Sequence, residues 1–410
     1  MPSTPSTARA IITHSPGIPS PSTLSLESIP VPVPKAGQVL LRVLGFGINR
    51  AEMYTRQGLS PGLSFPLTLG IECVGRVVGF APNDDAITTA TTKTTKTTKT
   101  KQFRHNDLVA TCMGGLGRQI PGSYQEYTCV PAANLRHIHI PTPPSTNNAS
   151  PLQTQRPSPP PQISTAVLAA LPEMLQTTWG ALASGLAVVP HESVLVRGGT
   201  SSIGLCAIQL LKKKFGASRV GATTRSADRV EMLRAAGADV VFIDGEDGKI
   251  AGQVMAGSGA AVHARDSKEG SAKQKRKEKE KEESKHEGEA EQQDLRFDKC
   301  LELIGTTTFL DSAACLKPGG TVCMVGMQGG QWELTNFSPF MIPNRVRVCA
   351  YGGSTQDFFA MPWDELVLDV IERRIVVPVR EYAMEDIQKV HEIMEAGGGG
   401  AKMVVVLGEL

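Results

Sequence analysis

Apolar and polar positions change rhythm several times along this chain, and each change marks an element. Val194-Leu195-Val196 is a short, β-branched apolar run, the make-up of a buried strand. Gly198-Gly199-Thr200-Ser201-Ser202-Ile203-Gly204 is a small-residue turn. From Leu205 to Phe215 the period lengthens to that of a helix, with Ile208, Leu211 and Phe215 along one face. Val220 to Thr224 predicts a second strand, Val230 to Ala236 a second helix and Val240 to Ile243 a third strand. Strand, glycine turn, helix, strand is the start of a nucleotide-binding βαβ unit. Further upstream, Ala8 to Thr13 and Gln38 to Leu44 read as strands. Phe65 to Gly79 reads as a glycine-punctuated strand, as in a small, strongly bent barrel.

The turn has the chemistry of a phosphate cradle. Small residues let backbone N–H groups and the helix N-terminus approach a pyrophosphate. Gly199 and Gly204 hold the outer positions of G-x-G-x-x-G, with Ser201 in the middle one; taken alone, such a loop is also an ordinary tight turn. An NAD-binding chain usually carries Asp or Glu at the end of the second strand, for the ribose 2′-OH. Here that end is Ala222-Thr223-Thr224-Arg225-Ser226, with Arg229 one turn later. A cationic fork and a hydroxyl suit a 2′-phosphate, so NADPH is expected over NADH. The alternative makes Arg225 and Arg229 solvated charges at a helix start.

Composition narrows the class. The 410 residues suffice for two domains, and the 40% hydrophobic share permits a sizeable core. A net charge of +2 gives no global pull toward nucleic acid or a membrane. No apolar run approaches the roughly 18 residues of a membrane span, and the first residues lack the apolar core of a secretory signal, so a cytoplasmic location is expected. Eight scattered cysteines without a C-x-x-C pair point to reduced thiols and against a structural zinc lobe. Three stretches, near 84–102, 142–162 and 258–295, are low-complexity or densely charged, and lack the apolar content to pack.

After the strand ending at Leu44 comes Gly45-Phe46-Gly47-Ile48-Asn49-Arg50-Ala51-Glu52-Met53-Tyr54-Thr55-Arg56. Polar groups gathered beyond a strand end often line a site; a capped surface helix is the other reading. This segment, then FPLTLGIECVGRVVG, SYQEYTCVP, TTWGAL, VLVRGGTSSIG and FDKCLELIG…LKPGGTVCMVG, occur in the order of the medium-chain dehydrogenase/reductase superfamily. The first segment resembles its zinc-free quinone oxidoreductase branch, the zeta-crystallin type. The resemblance implies an α/β fold: a GroES-like β-barrel catalytic domain (1–165), a Rossmann cofactor domain with a doubly wound parallel sheet (166–340), and a return segment (341–410). It implies Thr177 beside the nicotinamide, and Ile304, Gly305, Gly326 and Met327 along the nicotinamide ribose and amide. It also implies a homodimer paired through the strand near 346–352. Positions matching the zinc ligands of alcohol dehydrogenases are Asn49, Ile71 and Glu173, of which isoleucine cannot ligate and asparagine is a poor ligand. No metal is expected, Glu72 should pair with an internal Arg, and a ligand role for Lys402 is in doubt.

Hydride transfer to a conjugated acceptor needs less help than reduction of a simple carbonyl, because charge spreads onto a distal oxygen. Tyr54 is the expected hydrogen-bond or proton donor, Asn49 the amide that orients substrate, and Arg56 a loop support or charge screen. The expected function is NADPH-dependent reduction of a quinone, with an enone or enoyl reductase as the rival and a non-catalytic NADPH-binding scaffold as the reading from another class. The partner is a small molecule, with neither nucleic acid nor membrane expected.

Overall fold

The alternation around residues 38–44 becomes part of a long strand that organises the N-terminal region in the computed structural model. The structure describes residues 4–20, 22–81, 88–89, 101–141, 163–245, 247–257 and 294–410. The chain forms two compact units, residues 1–180, 201–206 and 352–410, and residues 181–200 and 207–351. Strands β1 (Thr7–Thr13), β2 (Leu24–Pro30), β3 (Gln38–Gly47), β4 (Leu67–Thr68) and β5 (Glu72–Phe80) come first, with helix α1 (Arg50–Arg56) after β3. β6 (Thr88–Thr89) and β7 (Lys101–Gln102) pair as a small ribbon at the edges of the first insertion. β8 (Leu108–Cys112), β9 (Tyr127–Pro131) and β10 (Leu135–His137) follow, then α2 (Thr165–Ala169) and α3 (Leu171–Gly180).

The middle of the chain then alternates β11 (Ser193–Arg197), α4 (Ser202–Lys213), β12 (Arg219–Thr224), α5 (Val230–Ala236), β13 (Val240–Ile243), α6 (Ala251–Ala256), β14 (Phe297–Glu302), α7 (Thr306–Ala314), β15 (Leu316–Met324) and β16 (Arg347–Ala350). The chain ends with α8 (Thr355–Ala360), α9 (Trp363–Ile371), β17 (Val379–Tyr382), α10 (Ile387–Glu395) and β18 (Lys402–Val406).

In the first unit, a seven-stranded sheet runs β10-β8-β5-β3-β18-β17 with β9 also on β3, and a smaller sheet runs β2-β1-β4. Inward positions of these strands form one core, in which Phe46 stacks on Tyr124 at 4.7 Å between centroids. In the second unit six parallel strands run β13-β12-β11-β14-β15-β16, the doubly wound order of a dinucleotide-binding sheet. β11 is buried along its whole length, as expected of a central parallel strand with both faces covered.

Two expectations shift. The boundary expected at 165/166 falls near 180, because α2 packs on the barrel. A Cβ on Gly45 of β3 would meet the Ala169 Cβ at 3.0 Å, so helix and strand approach where glycine and alanine allow it. The boundary expected at 340/341 falls near 351, because β16 adds to the parallel sheet. Most of the three low-complexity stretches lies outside the described residues. Leu295, at the end of the third, is buried with Phe297 in the second core.

Candidate active site

Two groups of site residues emerge, one where β3 meets α1 and one along the strand ends of the parallel sheet. The first begins where β3 ends. Asn49 caps α1, and the Glu52 carboxylate reaches back to accept the Asn49 backbone N–H at 2.9 Å. Sequence reasoning offered a capped surface helix against a site-lining segment; the helix is capped, yet Glu52, Met53, Thr55 and Arg56 are buried. The Asn49 amide donates to Glu72 Oε1 at 2.9 Å and to Glu52 Oε1 at 3.2 Å. Its oxygen accepts from the Lys402 ammonium. Both amide protons are therefore engaged inside the protein, so Asn49 serves as a hub between α1, β5 and β18 rather than a free substrate-orienting amide.

Lys402, at the start of β18, is the residue that sequence reasoning undervalued. Its Nζ lies 3.0 Å from Glu72 Oε1 and 3.0 Å from Glu173 Oε2. The internal cation paired with Glu72 is this lysine, not the expected arginine, because β18 runs antiparallel to β3 and brings Lys402 beside Gly47. A Cβ on Gly47 would lie 2.8 Å from Lys402 Cε, so only glycine leaves room for the stem. Glu72 Oε2 accepts the Glu173 backbone N–H at 2.7 Å, and Glu173 Oε1 accepts from Thr177 Oγ1 at 3.0 Å. The cluster thus runs unbroken from Glu52 to Thr177.

Its electrostatics follow from three buried carboxyls around one ammonium. Burial alone would lower the Lys402 pKa, but Glu72 and Glu173 outweigh it and hold the ammonium above its ordinary value. Burial raises the Glu72 carboxyl against the pull of Lys402, and raises Glu52 to about 7 against the Ile71 N–H and the Asn49 amide.

The remaining expected catalytic residues occupy different settings. The half-buried Tyr54 packs its ring on the barrel core. Burial raises its phenol pKa, opposed by the neighbouring Arg50 guanidinium. Arg56 is fully buried and donates to the Gly17 carbonyl, to Glu395 and to His391 Nδ1. Its guanidinium ties α1 to α10 and to the loop after β1, the loop-supporting option of the sequence reading. Thr177 is buried on α3, with its hydroxyl directed to Glu173.

In the second unit, Gly198 adopts φ +76° and makes the turn after β11, a position the glycine fingerprint had left out in favour of its neighbour. Gly199 is the close-packing position: a Cβ there would lie 3.1 Å from both Ala222 Cβ and Leu233 Cδ2. Thr200 is half-buried beside it. Ser201 Oγ accepts the Gly204 N–H at 3.0 Å, so the serine in the middle fingerprint position caps α4. Ser202 and Ile203 are half-buried in the first turn of that helix. At the end of β12 the Thr224 hydroxyl closes a local turn with the Ser226 backbone at 3.2 Å, leaving Arg225 exposed and Arg229 half-buried before α5.

Ile304 and Gly305 form the turn after β14, and Gly326 with Met327 the turn after β15. A Cβ on Gly305, at φ +113°, would lie 2.9 Å from Met327 Sδ, so the two turns pack side by side. Glu302, unnoticed in the sequence, holds the first turn from below. Its Oε1 accepts the N–H groups of Ile304 at 2.7 Å and Gly305 at 3.0 Å, and its Oε2 accepts from Ser312. At the end of β11, the fully buried Arg197 pairs with Asp311 at 2.6 Å and donates to the Gly248 carbonyl at 2.6 Å. It also faces Asp244 at 3.2 Å.

These features fit the two prosthetic possibilities unequally. A glycine turn with no room for a side chain, a capped helix start and an exposed Arg225 after β12 suit a dinucleotide. The Asn49 region does not fit zinc. Two carboxylate oxygens and an amide oxygen converge on a point filled by an ammonium, and the remaining ligand-matching position is the buried, apolar Ile71. His137 stacks on Phe103, and His139 lies 3.1 Å from Asp364. Among the described residues no group of three or more His, Cys, Asp or Glu is set to hold a metal ion, and no helix is long and apolar enough to cross a membrane. All eight cysteines are free thiols.

Comparison with known proteins finds relatives for both regions of the chain. Residues 35–142 match the alcohol dehydrogenase GroES-like domain, and residues 202–367 match the zinc-binding dehydrogenase family. An NAD-dependent alcohol dehydrogenase of Sulfurisphaera tokodaii is 26% identical over 234 residues, 53% of this chain and 60% of the relative. The chain thus spans about three fifths of the length of the first curated relatives it matches. An acryloyl-coenzyme A reductase of Metallosphaera sedula is 24% identical over 307 residues, 72% of this chain and 70% of the relative. The fold is shared with an Escherichia coli quinone oxidoreductase complexed with NADPH, at a TM-score of 0.68 and 18% identity, covering 98% of this chain and 100% of that one.

Proposed function

Since the chain belongs to the medium-chain dehydrogenase/reductase superfamily, we propose that it transfers hydride from NADPH to a quinone or related conjugated carbonyl without zinc. The observation that carries this reading is the Lys402 ammonium at the point where Glu72, Glu173 and Asn49 converge. A site built this way has no Lewis acid for a simple carbonyl, and favours acceptors whose developing charge spreads through conjugation. Bound NADPH would supply the hydride. The half-buried Tyr54 hydroxyl, steadied by its ring on the core, would donate a hydrogen bond to the acceptor oxygen. Asn49 and Arg56 would act by holding α1 in place. Thr177 would keep its remaining lone pairs toward the cofactor while its proton is held by Glu173.

Preference for NADPH rests on Arg225 and Arg229 and on the lack of a carboxylate between Ala222 and Ala227. A second reading, reduction of an enone or enoyl thioester, has its own support. The acryloyl-coenzyme A reductase is a match that extends over 72% of this chain. A homodimer is also proposed. β16 closes one edge of the six-stranded sheet, and Val348 on it is 42% exposed, so the strand is open to pairing with a second copy. Sedimentation would read that state directly.

The test is NADPH oxidation by EDTA-treated protein with 1,4-naphthoquinone, an alkyl enone and an enoyl thioester offered in parallel. Metal-independent quinone turnover, weakened in Tyr54→Phe and in Arg225→Glu, is the expected result. Turnover with the enone or thioester alone would promote the second reading. Tight NADPH binding without turnover would leave only a scaffold.

A further inference from the structure

The geometry points to Lys402 as a built-in cation: its ammonium occupies the point where two carboxylates and an amide oxygen converge, and so closes that point to a divalent metal ion. The inference rests on the zinc-free part of the functional reading and extends it by naming what keeps metal out. The oxygens of Glu72 and Glu173 each lie 3.0 Å from Nζ, and Asn49 Oδ1 completes the set. All four side chains are buried, and Glu72 is held from a second side by the Glu173 N–H at 2.7 Å. Glu72 is thus fixed by the backbone as well as by the lysine, and Glu173 by the Thr177 hydroxyl. Asn49 is in turn fixed through its Nδ2 bonds to Glu52 and Glu72. Such an arrangement outlives removal of the ammonium better than one held by the lysine alone.

What would remain without it is an oxygen-only set carrying two carboxylates, the chemistry of hard divalent cations such as Mn²⁺, Mg²⁺ or Ca²⁺ rather than of zinc. A second positive charge cannot share that point with a lysine ammonium in a low-dielectric interior, because like charges a few ångströms apart repel strongly there. Lys402→Met removes the charge and keeps most of the stem. Lys402→Arg keeps a cation.

The experiment is Mn²⁺ uptake by the full-length chain, read from loss of the free-ion electron paramagnetic resonance signal. Wild type, Lys402→Met and Lys402→Arg are compared, so any uptake by acidic stretches common to all three cancels. The expected result is about one additional Mn²⁺ per chain in Lys402→Met, none in Lys402→Arg, and loss of the gain when Glu72→Gln is added. Equal uptake by wild type and Lys402→Met would overturn the inference, as would a folded Lys402→Met that gains none, or a gain that survives Glu72→Gln. If Lys402→Met unfolds in EDTA, recovery of its native circular dichroism on adding Mn²⁺ supports the inference, and failure to recover overturns it. None of these readings requires turnover. Failure of the quinone reading and failure of this one are therefore distinguishable.

Discussion

Replacing Glu302 separates a carboxylate that holds the turn after β14 from one that is merely buried. The side chain is fully buried, and its two oxygens accept from the Ile304 N–H, the Gly305 N–H and the Ser312 hydroxyl. Burial raises its carboxyl, while Arg197, Ser312 and the two N–H groups pull the other way. In Glu302→Ala all three donors lose their acceptor. A buried donor left unsatisfied costs about 1–3 kcal/mol, and the serine hydroxyl can turn elsewhere, so the two backbone groups set a loss of about 2–6 kcal/mol. Glu302→Gln retains one carbonyl oxygen for both N–H groups and presents its amide to the Ser312 oxygen, so its loss should be about 1 kcal/mol. Urea unfolding of the two variants gives the gap, and NADPH titration by fluorescence reads the functional consequence. Alanine should weaken NADPH binding more than glutamine does, because Ile304 and Gly305 lose their anchor. Equal unfolding midpoints for the two variants would refute the reasoning, since the turn would then not depend on an acceptor at that point.

Glu52 has its folded pKa raised to about 7, above the ordinary glutamate value. Its contribution to stability is therefore full below pH 4.5 and lost as pH rises through 7; Glu52→Gln should flatten the unfolding midpoint over that window by up to about 3 kcal/mol. His391 is shifted the opposite way: burial, then Arg56, depress it to about 3. Stability from the neutral ring is present above pH 6.5 and lost as pH falls toward 3, so His391→Gln should show a shallower acid limb in the same titration. Gly199→Ala forces a methyl to within 3.1 Å of Ala222 and Leu233, and should cost about 1–3 kcal/mol in urea while raising the Kd for NADPH; an unchanged Kd would remove Gly199 from the cofactor cradle.

How far the chain can be read in advance depends on the range of the interaction. The parallel sheet was legible because each strand and helix announces itself within a dozen residues: Val194 to Val196 is apolar throughout, and Leu205 to Phe215 keeps a helical stripe. The barrel strands were legible as strands, but the placement of α2 on Gly45 was not, since that depends on a glycine 124 residues away meeting Ala169. The Gly198 turn was half legible. A glycine pair is visible, yet which member takes positive φ and which packs closely is decided by the Thr223 hydroxyl and the Leu233 side chain across the sheet. Glu302 stood in view, two residues before Ile304, but nothing local says that a carboxylate curls back under its own turn.

Lys402 is the sharpest case, because local rules pointed away from it. A lysine opening a final strand reads locally as a solvated end charge, and the sequence left a ligand role for Lys402 in doubt. Antiparallel pairing of β18 with β3 carries it more than 300 residues back along the chain, to Asn49 and Glu72. Once it is there, the ligand-matching positions take on a different meaning. Asn49, Glu72 and Glu173 meet at a centre that carries its own positive charge, and the carboxylates that would be hard to bury alone are the ones that the charge requires. The acceptor the site can reduce, and the metal it turns away, are on this reading two consequences of one buried lysine.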